Sequence, residues 1–269
     1  ADIGTGLDTV VAKLTAEDEL LAGKPGIPLR YGVVQQVGQV KLDGGKGSGG
    51  EWSIATDGQQ VWTLTVEAKA AASLEFGFSE LRLPAWASLR LQSLDDKSSF
   101  IVLTDSDNPQ AGRYQSAMLA GSRARLELVV PTAKRDFVRL TLDRVVHGYR
   151  DPFAAQQAQK SGSCNIDTIC PQGDPWRDQI ASVAHYTFSS GGSNFVCTGT
   201  LMATGNAQAD QTQPRFTTAH HCVSLAAEAQ SMVFYWGYES PSCRTPGSAA
   251  SGTSLSRTTS SRATQSGAS

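Results

Sequence analysis

Apolar and polar residues alternate through most of the first 150 positions, in short runs separated by Gly, Pro and Asp. A period of two marks half-buried strands, whereas a period near 3.6 marks a helix. Helical spacing is clear at Leu7, Val10, Val11 and Leu14, so residues 8–14 are predicted to form a short amphipathic helix that Gly26 and Pro28 then exclude from continuing. Trp52-Ser53-Ile54-Ala55-Thr56, then Asp57-Gly58, then Gln60-Val61-Trp62-Thr63-Leu64-Thr65-Val66 predicts a hairpin, because Asp-Gly tolerates the positive φ of a tight turn. Further strands are expected at 73–78, 88–92, 100–104, 123–130 and 138–144. So many short strands with turn residues between them imply an all-β sandwich or jelly roll.

The pattern changes after residue 153. Ala154-Ala155-Gln156-Gln157-Ala158-Gln159-Lys160-Ser161-Gly162-Ser163 is polar, small and aperiodic, as a linker is. Strand patterns resume at 178–188, 195–201 and 231–238. The 269 residues suit two domains: a β-rich region 1–153, the linker 154–163, and a second region 164–269. Trp52, Trp62 and Trp86 are expected to pack in the sheet core rather than to form a sugar-binding platform, and His147 and His185 are expected to be structural or surface residues.

Charge narrows the possibilities. With 23 basic and 25 acidic residues, nothing suggests nucleic-acid binding or a polybasic membrane anchor, and no apolar run approaches a transmembrane span. All five cysteines lie between Cys164 and Cys243, which points to an oxidising compartment serving one domain. The chain begins at Ala1 with no basic and apolar leader, the start expected of a secreted protein whose signal peptide has been removed.

The strongest chemical motif is Thr218-Ala219-His220-His221-Cys222-Val223, downstream of Cys197-Thr198-Gly199-Thr200-Leu201. A histidine that takes a proton from a hydroxyl must be held within reach of it and in one tautomer. A bridged cysteine on the next residue would anchor its backbone. Zinc is the competing explanation of His-His-Cys. Adjacent side chains on an extended chain point to opposite faces, however, and no Cys-x-x-Cys or His-x-x-x-His spacing accompanies them. No metal and no cofactor is therefore expected.

These residues resemble the histidine region of trypsin-like serine proteases. More specifically, Ser163-Cys164-Asn165-Ile166-Asp167, Cys170-Pro171, Gly173-Asp174, Arg177-Asp178, Cys197-Thr198-Gly199, Thr218-Ala219-His220-His221-Cys222, Tyr235-Trp236-x-Tyr238 and Ser242-Cys243-Arg244 resemble the first part of a bacterial lysyl endopeptidase. The resemblance implies that His221 is the catalytic base and His220 only its neighbour. It implies the pairs Cys197–Cys222 and Cys170–Cys243, with Cys164 left unpaired in this chain. Trp52, Val61-Trp62, Leu81-Arg82-Leu83-Pro84 and His147-Gly148-Tyr149-Arg150 carry a weaker resemblance to the same family's N-terminal propeptide. The implied fold of 164–269 is then the first, incomplete barrel of a chymotrypsin-like double β-barrel.

In that family's order the triad runs His, Asp, Ser. No Asp follows Asp210, and Ser251-Gly252 and Ser266-Gly267 lie in a Ser/Thr/Ala/Gly tract unlike a nucleophile turn. The sequence is accordingly read as a secreted serine endopeptidase precursor that stops before the triad aspartate, acts on protein or peptide substrates, cuts after lysine, and is inactive as it stands. Its propeptide is expected to pack on its own protease domain and to be released at Lys160-Ser161. The alternative is a secreted β-sandwich binding module fused to a non-catalytic protease-like remnant.

Overall fold

The computed structural model describes residues 7–21, 24, 26–44, 46–152, 166–202, 215–239, 242–243 and 254–255. The chain divides into two compact units: Ala1–Ala16, Gly32–Arg150 and Gly192–Asn194 form the first, and Glu17–Tyr31, Asp151–Gly191 and Phe195–Ser269 the second.

Helix α1 spans Leu7–Leu21. It extends beyond the predicted 8–14 because Thr15 through Leu21 contain no Gly or Pro, and the helix stops short of Gly23. The strands of the first unit are β1 Leu29–Asp43, β2 Lys46–Ser48, β3 Glu51–Ile54, β4 Gln60–Glu67, β5 Ser73–Arg82, β6 Ser88–Ser93, β7 Phe100–Thr104, β8 Tyr114–Gln115, β9 Leu119–Ala120, β10 Arg123–Val130 and β11 Arg139–Gly148. One antiparallel sheet runs β3-β4-β10-β6-β7; the other runs β1-β11-β5-β8, with β2 on β1 and β9 on β5.

Alternation decides what each sheet buries. Along β4, Trp62, Leu64 and Val66 face inward, and along β10 Leu126, Leu128 and Val130 do the same. They meet Phe76, Phe78, Leu140, Leu142 and Val145 of the opposing sheet in one apolar core, so the unit is a β-sandwich. Trp62 is fully buried, and its Nε1 donates to the carbonyl of Gly49 at 3.0 Å. Gly50 sits at φ 72°, and a Cβ there would collide with the Trp62 indole, which is why glycine occupies that turn. Trp52 is half-buried, with the Arg135 guanidinium 4.4 Å from its ring centre. Trp86 departs from expectation: it is 85% exposed at φ 70°, in the loop before β6 rather than on a strand, so strand alternation says nothing about where it points. His147 is a buried residue of β11.

In the second unit, Arg30 donates to Asp18 at 3.0 Å and to Glu17 at 3.2 Å, fastening the end of α1 to the start of β1. Residues 171–176 form a 3-10 turn that leads into α2, Arg177–Ala181. The strand expected from residue 178 therefore begins later, at Val183. Then come β12 Val183–Ser190, β13 Ser193–Met202, β14 Arg215–Thr218, α3 Ala226–Ala229, β15 Val233–Trp236, β16 Tyr238–Glu239 and β17 Ser254–Leu255. The order β15-β12-β13, with β14 on β13, leaves the sheet open: among the described residues no barrel closes. The linker 154–163, with Lys160 and Ser161, and Cys164 lie outside the described residues.

Candidate functional site

The site is built where β13 and β14 run together. Gly199 pairs with Thr218, Thr200 with Thr217 and Leu201 with Phe216. A side chain at Gly199 would collide with the Phe216 ring, so the Cys-Thr-Gly sequence of β13 makes room for an aromatic on the neighbouring strand. Phe216 then packs edge-on against Tyr186 (5.7 Å between ring centres), Phe234 (4.7 Å) and Trp236 (6.0 Å). This aromatic cluster, with Phe188, Ala184 and Met232, is the core on which the site rests.

β14 ends at Thr218, and residues 220–222 turn immediately. The amide of Cys222 donates to the Ala219 carbonyl at 3.0 Å, and that of Val223 to the same oxygen at 3.4 Å. Thr218 holds the entry to this turn. Its hydroxyl donates to the Thr198 carbonyl at 3.1 Å, so the Tyr186 phenol, 2.6 Å away, donates to it. Burial pushes the Tyr186 phenol above its ordinary value. Cys222 is bonded to Cys197 of β13, with 6.3 Å between their Cα atoms, and both cysteines are buried. His221 thus stands exposed on a turn fixed from both sides, with His220 exposed beside it.

The downstream side of the turn is held by Glu228, a residue that no motif singles out. Its carboxylate accepts the amides of Ser224 and Leu225, each at 2.9 Å, and the Ser190 hydroxyl at 2.6 Å. Burial pushes this carboxyl up, but the hydrogen bonds from Ser190, Ser224 and Leu225 outweigh it and hold the group below its ordinary value. A hydrophobic-pattern reading takes Glu228 for a solvated charge on a short helix; two of its partners are local, and the return of the chain onto β12 supplies the third, Ser190.

A second disulfide, Cys170–Cys243, joins the 3-10 turn to the segment after β16, with 4.7 Å between Cα atoms. Nearby, Arg177 donates to Asp174 at 2.6 Å and to the Thr168 carbonyl at 3.0 Å, and the Thr168 hydroxyl donates to Glu239 at 3.2 Å. His185 has its Nδ1 3.2 Å from the Thr198 hydroxyl and its ring edge-on to Tyr238 at 4.7 Å.

The arrangement supplies an exposed imidazole, that of His221, on a clamped turn, the geometry a proton acceptor needs. A family model of the lysyl endopeptidase N-terminal domain matches residues 5–149, and one of the lysyl endopeptidase C-terminal domain matches residues 158–269. The chain belongs to the lysyl endopeptidase family. It is 28% identical over 251 residues to a lysyl endopeptidase of Pseudomonas aeruginosa, an alignment covering 86% of this chain and 51% of that protein. The chain therefore spans about half the length of this curated relative. The His221 turn falls in the part matched by the family's C-terminal domain, and the β-sandwich in the part matched by its N-terminal domain. Among the described residues, no helix is long and apolar enough to cross a membrane.

Proposed function

We propose that the chain is the propeptide and N-terminal catalytic part of a secreted serine endopeptidase that cleaves protein and peptide substrates after lysine. The observation that carries this reading is His221, exposed on a turn clamped by Cys222–Cys197 and by Thr218, within the match to the family's C-terminal domain. In the full enzyme His221 accepts the proton of the nucleophilic serine during acylation and returns it to the leaving amine. A triad ordered His, Asp, Ser needs a carboxylate after His221, and no Asp follows Asp210 here. On this reading these 269 residues hold the base but not the aspartate that completes the triad.

On this reading residues 1–153 are the propeptide, which packs on its own protease domain, 154–163 is the linker, and 164–269 starts the mature enzyme. The linker contains one lysine, Lys160, directly before Ser161. An enzyme selective for lysine would release its own propeptide at that bond. The decisive experiment uses a precursor extended through an aspartate and a serine turn. It should hydrolyse lysyl esters and react with a fluorophosphonate, and His221→Ala should abolish both. Lys160→Ala should stall maturation, with N-terminal sequencing of the product locating the junction. A precursor whose turnover survives His221→Ala overturns the assignment.

A further inference from the structure

We propose that Cys197, Cys222 and His221 form a binding site for a zinc-class divalent cation once the Cys197–Cys222 disulfide is reduced. The two sulfurs and a ring nitrogen of His221 all lie within 4.8 Å of one another. On an extended chain His221 and Cys222 would diverge. The turn at 220–222 brings both side chains to the Cys197 sulfur instead.

While the sulfurs are bonded to each other they offer no thiolate, and the cluster cannot hold an ion. A tetrahedral zinc ion with Zn–S bonds of about 2.3 Å keeps its two sulfurs about 3.8 Å apart. The 6.3 Å between the two Cα atoms accommodates that separation by side-chain rotation. The backbone placing the ligands does not depend on the disulfide alone. The β13–β14 ladder, the Thr218–Thr198 bond and the Cys222–Ala219 turn also hold it. Two thiolates cancel the charge of the cation beside a buried aromatic core, and exposed His221 gives the ion a way in and leaves a fourth position to water.

The chemistry balances with a trialkylphosphine as reductant. The phosphine and one water reduce the disulfide, the phosphine leaving as its oxide and the two sulfurs as thiols. The metal ion then displaces the two thiol protons. If His221 is the catalytic base, as proposed above, its lone pair is then committed to the metal, so the reduced, metal-loaded form cannot take a proton from a serine.

The test uses the full chain carrying Cys164→Ser, treated with a trialkylphosphine and titrated with Co²⁺ as a coloured substitute for zinc, with circular dichroism recorded alongside. The reduced chain should take up one equivalent with the visible bands of tetrahedral thiolate coordination, and zinc should bleach them. The oxidised chain should show none. Cys197→Ser should lose the bands although Cys170 and Cys243 remain, and His221→Ala should weaken uptake about tenfold or more. No uptake by the reduced chain, whether or not its sheet signal survives, overturns the proposal. So does uptake that either substitution leaves unchanged. No peptidase activity is measured, so failure here leaves the role of His221 as a base standing.

Discussion

The Tyr186 phenol and the Thr218 hydroxyl lie 2.6 Å apart, and the Thr218 hydroxyl donates its own hydrogen bond to the Thr198 carbonyl at 3.1 Å. This relay joins β12, β14 and β13 three residues before His221. It ties the position of the imidazole to the core of the second unit as well as to the neighbouring disulfide.

Thr218→Val keeps the shape but removes both hydrogen bonds. Tyr186 is almost fully buried, and the loss strands its phenol without an acceptor, at a cost of about 1–3 kcal/mol. The urea midpoint should fall accordingly. Thr218→Ser, which keeps the hydroxyl, should recover most of the loss. Equal midpoints for the valine and serine variants would mean that the relay contributes nothing.

Glu228→Gln is expected to show how the far side of the turn is held. The carboxyl is kept below its ordinary value of 4.5, so the stability it contributes is fully present above that value and is lost as pH falls below it. The melting temperature of the parent chain should therefore drop on acidification more steeply than that of the variant, and the two curves should converge in acid. Parallel curves would remove Glu228 from the account.

Much of the first unit was legible in its sequence, because each strand obeys a single local rule. Strands 100–104 and 123–130 appear with the predicted bounds, and Asp57-Gly58 closes the hairpin with Gly58 at φ 81°. β1 was missed. Its glycines and the Gln35-Gln36 pair interrupt the alternation, and it is held as a strand by β11, which pairs with Gly32–Gln36 and Val40–Asp43 across an irregularity between them. Trp86 was misplaced because strand alternation says nothing about loops. In the second unit the motif around His221 was readable from adjacent residues, whereas the Ser190–Glu228 and Tyr186–Thr218 contacts join residues 38 and 32 positions apart. No sequence period encodes those contacts.

Asp95 gives the β-sandwich a pH-dependent contact. Its Oδ1 accepts from both Nε and Nη2 of Arg123 at 3.0 and 2.8 Å, its Oδ2 accepts the amides of Ser122 and Arg123, and the Arg123 contact leads in lowering the carboxyl from 3.8 to about 2. Its stabilising effect is complete above about pH 4 and is lost as pH falls toward 2. The pair is partly exposed, at 28% for Asp95 and 49% for Arg123, so solvent screening reduces its contribution. Asp95→Asn should lower the urea midpoint at pH 6 and match the parent chain at pH 2. A difference that persists at pH 2 would assign the effect to shape rather than charge.

The 269-residue chain should hydrolyse no peptide bond although it carries His221. In a Ser-His-Asp triad, replacing the carboxylate by its amide lowers the rate by about four orders of magnitude, near 5.5 kcal/mol of transition-state stabilisation, because the imidazole is held in the wrong tautomer. Here no Asp follows Asp210, and the serines after His221 sit in no nucleophile turn that the sequence reveals. On the proposed reading the clamped imidazole then has no serine to activate. Purified chain should leave a lysyl ester intact and should not react with a fluorophosphonate. Labelling that appears in the parent chain and vanishes in His221→Ala would show that a complete triad is assembled from the residues present, and the reading of this chain as half a catalytic site would fail.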